Sequence, residues 1–172
     1  MTAAAPRGDD APADGGKPPP EGPGQLGSAP MLIESTRFGS FEVDSSRTLA
    51  FEDALLGFPD STTYVVVEVE DTPYVWLQSA DEPSVAFLAT SPFLFFPDYD
   101  LELARSEQQA LDVSDVSQVE VLSLLTVHRV VDEPVNITAN LLGPIVVNVE
   151  SRKARQVVLD RSGYSTREPL VS

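Results

Sequence analysis

Residues 71–99, Asp-Thr-Pro-Tyr-Val-Trp-Leu-Gln-Ser-Ala-Asp-Glu-Pro-Ser-Val-Ala-Phe-Leu-Ala-Thr-Ser-Pro-Phe-Leu-Phe-Phe-Pro-Asp-Tyr, decide the fold class of this chain. They read as two short strands, Tyr74–Gln78 and Val85–Thr90, separated by turn-formers and followed by an aromatic stretch between Pro92 and Pro97. The same grammar extends in both directions. Thr63–Glu70 alternates, which predicts Val65, Val67 and Val69 on a buried face and Glu68 and Glu70 on a polar one. Val119–Val127, Ile145–Val149 and Ala154–Leu159 are further strand candidates, bounded by Asp132-Glu-Pro134 and Gly143-Pro144, and Phe38–Val43 and Thr48–Phe51 are weaker ones. One helix is predicted over Leu101–Leu111, with Asp98 or Asp100 as its cap and Leu101, Ala104 and Leu111 near one face. Many short strands without regular crossover helices favour a mainly β domain, a compact antiparallel barrel or sandwich with one short α-helix.

The chain has 172 residues, no Cys and a formal net charge of −16. Residues 1–30 contain seven Pro, six Gly and no aromatic side chain, a composition that cannot bury enough surface to offset its ordering entropy, so a disordered tail is expected there. Residues 31–172 form the folded domain. Residues 31–149 hold four basic against twenty acidic residues, whereas residues 150–172 hold five basic against three acidic. Such an acidic body repels phosphate and attracts a basic protein surface, so direct nucleic-acid binding is not expected. With no basic, apolar leader and no long apolar run, a cytoplasmic protein without membrane contact is the expectation.

The inventory for catalysis is thin. His128 is the sole His, predicted at a strand end, and a metal site with Asp132 and Glu133 is a poor candidate. Neither a nucleophile elbow nor a phosphate loop occurs. No cofactor or metal is therefore expected. The run Arg152-Lys-Ala-Arg155 reads as a solvated strand edge rather than an RNA site. Two groups are candidates for protein binding. The carboxylates Glu68, Glu70, Asp71, Asp81 and Glu82 flank two neighbouring strands and would form one acidic patch if those strands pair. Among Phe93, Leu94, Phe95 and Phe96, most are expected in the core, with Phe93 or Tyr99 left to supply exposed apolar area.

The order Trp76-Leu-Gln-Ser79, Asp81-Glu-Pro83, Ala86-Phe87 and Pro92, with Phe38-Gly39, Leu56-Gly57-Phe58, Ser123-Leu-Leu-Thr-Val127, Asn136–Asn148, Arg152–Leu159 and Tyr164–Leu170 in their places, resembles the flagellar assembly factor FliW family over nearly all of residues 31–170. Two departures stand out: the Pro/Gly-rich tail, and Leu55-Leu56-Gly57 where the family carries a Leu-Pro-Gly turn. The resemblance implies a compact β-barrel and a non-enzymatic regulator with two protein partners. One is CsrA, a small basic RNA-binding dimer that represses flagellin translation; the other is flagellin, which competes to release CsrA. Alternatives are a chaperone confined to flagellin and a small β-barrel hydrolase or isomerase built around His128.

Overall fold

The computed structural model describes residues 29–170, so the expected tail lies outside them apart from Ala29 and Pro30. Those two belong to the fold. Ser45 N–H donates to Ala29 O, and Pro30 opens strand β1 (Pro30–Ser35), which pairs with β2 (Gly39–Asp44) in a separate two-stranded sheet. The remaining strands are β3 (Thr48–Phe51), β4 (Thr63–Glu68), β5 (Tyr74–Ser79), β6 (Ala86–Thr90), β7 (Val119–His128), β8 (Asn136–Ala139), β9 (Ile145–Asn148), β10 (Lys153–Gln156) and β11 (Glu168–Pro169).

Strands β3, β4, β5, β6, β7, β9 and β10 follow one another around a closed circuit, because β9 pairs with both β10 and β7. Closure leaves the barrel without a free edge. All its pairings are antiparallel except β10 against β3, where Lys153 and Ala50 lie opposite each other in parallel register. Strand β10, which carries Lys153 and Arg155 and directly follows Arg152, is thus inside the sheet, not at an edge as expected from its charges. Its cations answer internal carboxylates: Arg155 binds Asp53 and Glu107, and Lys153 binds Asp112 at 2.7 Å.

Inward residues of alternate positions fill the barrel, among them Leu49, Phe51, Tyr64, Leu77, Ala89, Leu122, Ile145 and Val147. This inverts the faces expected for the alternating strand. Tyr64 and Val66 point into the barrel, and Val65 lies on the other side opposite Gln78, where it is also fully buried. That outer side is covered by the β1–β2 hairpin. Gln78, fully buried, accepts from Ser35 Oγ at 2.7 Å and donates to the carbonyls of Ser79, Pro83 and Val85. Ser35 Oγ in turn accepts from the amides of Arg37 and Phe38, and the Arg37 guanidinium lies 4.1 Å above the Trp76 ring. Ser35→Ala removes the hairpin's polar anchor and is expected to cost about 1–2 kcal/mol in chemical denaturation, with faster amide exchange confined to residues 30–44.

The far end of β7 leaves the barrel to pair with β8, which pairs with β11. Tyr99, Val121, Ala139 and Leu141 form a second core on this extension, and Leu111, Val146 and Val157 a third. The helix α1 is shorter than predicted, Arg105–Ala110, with Ala104 at its N-cap and no side-chain cap. Asp98 and Asp100 precede it by several residues and cannot reach its first amides. Leu56, in the departing turn, uses the N–H that a proline would lack: it donates to Gln156 Oε1 at 3.3 Å, while Gly57 takes the left-handed conformation (φ +91°).

Candidate protein-binding surface

The five candidate carboxylates do not form one patch. Strands β4 and β5 do pair as a hairpin, with Glu68 opposite Val75 at the turn and Tyr64 opposite Ser79 at the far end. Glu68, Glu70 and Asp71 therefore sit at the turn, and Asp81 and Glu82 at the other end. At about 3.3 Å per residue the strands separate the groups by on the order of 15 Å.

The two groups also differ in what they do. Glu70 and Asp71 are exposed, and Glu68 reaches Arg47 at 3.7 Å across solvent-exposed surface, a pair worth little. Asp71 adopts φ +61° in the turn, a conformation its short polar side chain tolerates. At the opposite end, Asp81 Oδ2 accepts from the amides of Thr62 and Thr63 at 2.9 and 3.0 Å. Glu82 Oε2 accepts from Ser61 Oγ at 2.5 Å. Since the single proton of Ser61 goes to Glu82, the buried Ser79 hydroxyl must donate to Ser61 Oγ at 2.9 Å, and Ser79 Oγ accepts from the amides of Asp81 and Glu82. Asp81 and Glu82 thus clamp the segment entering β4 onto the segment leaving β5.

The aromatic stretch is not mostly core. Pro92–Leu94 is a 3-10 turn, so successive side chains fan outward instead of alternating. Phe93 and Leu94 are 47% and 64% exposed, Phe95 stacks on Tyr74 with centroids 6.2 Å apart, and Phe96 packs against the second core. Tyr99, expected among the exposed aromatics, is instead 5% exposed, and its hydroxyl donates to Leu141 O at 2.8 Å. Burial holds its phenol far above the ordinary value.

Beside Phe93 lies an open cavity of about 590 Å³ whose apolar lining includes Leu101, Leu103, Val113, Val116 and Val121. Sequence patterns missed it because its walls come from three separate segments. The one available signal was Val116, one of two aliphatic residues in the polar stretch Asp112-Val-Ser-Asp-Val-Ser-Gln118, here 85% exposed. It starts a 3-10 turn capped by Asp115, whose carboxylate accepts from Ser117 N–H; that contact, with the Ser117 hydroxyl, holds the carboxyl below its usual range.

His128 Nε2 is 3.0 Å from Thr138 Oγ1, and it lines none of the larger cavities. Among the described residues no group of three or more His, Asp and Glu side chains is placed to hold a metal ion, and no helix is long and apolar enough to cross a membrane.

The sequence pattern of the FliW protein family matches residues 32–170. The flagellar assembly factor FliW of Alkaliphilus metalliredigens is 34% identical over 143 residues, covering 82% of this chain and 86% of that protein. The Bacillus subtilis factor of the same name is 36% identical over 141 residues, with 81% and 96% covered. A crystal structure of the flagellar assembly factor FliW superposes with a TM-score of 0.75 at 31% identity, covering 83% of this chain and 98% of that one.

Proposed function

The chain belongs to the FliW family of flagellar assembly factors, and from that premise we propose that it works in the cytoplasm without catalysis, by binding two proteins. Binding of CsrA relieves the repression of flagellin translation; newly made flagellin competes for the antagonist and releases CsrA. The observation that carries the CsrA half is the acidic balance of residues 31–149, four basic against twenty acidic, with several of the cations turned to internal use. Arg47, Lys153 and Arg155 are ion-paired with its own carboxylates, Arg37 lies over Trp76, and Arg152 donates to the carbonyls of Arg47 and Thr48. The surplus of carboxylates left after these pairings gives the body a net negative surface. Such a body attracts a basic protein from a distance and repels the messenger RNA that protein carries.

The exposed turn of Glu68, Glu70 and Asp71 is the place to test that attraction, because none of the three holds the fold together. Stopped-flow association with CsrA should slow as salt rises, since the Debye length falls from about 10 Å at 0.1 M to about 3 Å at 1 M. Glu68→Lys and Glu70→Lys, with Asp71→Asn to keep the left-handed turn, should lower the association rate by about tenfold at low salt with an unchanged melting temperature. An unaltered rate would move the CsrA surface elsewhere. For the switch, flagellin is titrated into a preformed CsrA complex while free CsrA is followed. Each partner must weaken the other by the same factor; a ternary complex with unaltered affinities would remove the regulatory logic and leave two independent binding activities.

A further inference from the structure

The cavity beside Phe93 carries a chemical signature of its own. Its lining side chains are mostly apolar, and Asp100, Asp115 and Glu120, all exposed, lie around it, while no Lys or Arg contributes to it. Among its lining residues Val116 is 85% exposed and Phe93 47%. Apolar side chains left this open at one cavity lose contact with water only when something fills it.

The occupant that fits best brings apolar side chains on one face, cations beside them, and backbone groups already paired, since the Leu101, Leu103, Val113, Val119 and Val121 side chains offer those no partner. An amphipathic helix meets all three conditions, with its backbone bonded internally and apolar residues spaced at i, i+3 or i+4, and i+7. We infer that this groove is a docking site for an amphipathic α-helix of a protein partner whose apolar stripe is flanked by Lys or Arg. The chain's own residues 1–28 are a poor match, with Arg7 and Lys17 set against Asp9, Asp10, Asp14 and Glu21. The assignment rests on the function proposed above only in taking the partner to be a protein.

The test uses the full chain and two fluorescent peptides of about 18 residues, long enough for five helical turns, which share one Leu stripe and differ in Lys or Glu flanks. By anisotropy the Lys-flanked peptide should bind at least about tenfold more tightly than its Glu-flanked twin. Val116→Glu should weaken the Lys-flanked peptide about tenfold or more, Asp100→Lys with Glu120→Lys should abolish the preference between the two, and Glu42→Lys with Glu133→Lys, exposed and outside the lining, should leave both affinities within about twofold. Circular dichroism confirms that each variant is folded; all these positions are exposed. Equal binding of the two peptides, or full binding by Val116→Glu, overturns the assignment. So does about tenfold tighter peptide binding on deletion of residues 1–28, which would make the tail the occupant. If the wild type binds the Lys-flanked peptide but neither CsrA nor flagellin, the docking site stands and the regulatory function falls. If Val116→Glu binds both proteins normally while the peptide result fails, the converse holds.

Discussion

Tyr99→Ala is expected to lower stability by about 3–5 kcal/mol, a large part of what a domain of this size has, whereas Phe93→Ala costs about 1 kcal/mol or less. The two rings touch, 5.8 Å between centroids, yet they answer to different environments. Tyr99 joins Val121, Ala139 and Leu141 in a closed core, packs on Tyr164 at 4.7 Å, and caps the Leu141 carbonyl. Its removal leaves a cavity and an unpartnered buried oxygen together. Phe93 gives up contacts that are half in water already. Urea denaturation of both variants separates them, and any loss of partner binding in Tyr99→Ala must be attributed to unfolding. Equal stabilities would mean that the second core tolerates collapse around position 99.

Asp81→Lys with Glu82→Lys should destabilise by about 3–6 kcal/mol, counting two lots of about 1.5–3 kcal/mol for charge-assisted hydrogen bonds. The ammonium groups would face the amides of Thr62 and Thr63 and the buried Ser61 and Ser79 hydroxyls, donors meeting donors. The same reversal at Glu68 and Glu70 should fall within about 0.5 kcal/mol of the wild type. Parallel denaturation curves for the two double variants decide the matter. If both pairs behave alike, the clamp between the β3–β4 connection and the β5–β6 turn contributes nothing to stability.

What the sequence disclosed and what it hid follow the same physical line. Runs such as Thr63–Glu68 and Val119–His128 are legible because aliphatic strands announce themselves locally, and the barrel expected from the family resemblance is the one that forms. Faces were not legible on β4, since the hairpin buries Val65 from outside while Tyr64 fills the barrel, so hydrophobicity no longer marks which side is in. The helix was overextended because Leu101, Leu103 and Leu111 serve cores through irregular backbone up to Ala104. A carboxylate binding two amides, as Asp81 does, has the same letter as one bathed in solvent, as Asp71 is. The cations of Lys153 and Arg155 looked like edge protection because their partners, Asp112, Asp53 and Glu107, lie 41 to 102 residues away.

The barrel closes through the parallel ladder of β3 and β10, and Lys153 follows its partner Ala50 by 103 residues. At about 5–20 residues per second, a ribosome needs roughly 5–20 s to make that stretch. During this time β3 has been born with one side unmatched, and its eventual neighbour does not exist. A nascent chain released early, or a fragment ending before residue 150, carries an open ladder and should aggregate where the full chain stays dispersed, which light scattering on timed translation products would reveal. Strand β10 is thus the bolt of the barrel, and the circuit stays open until it has been made.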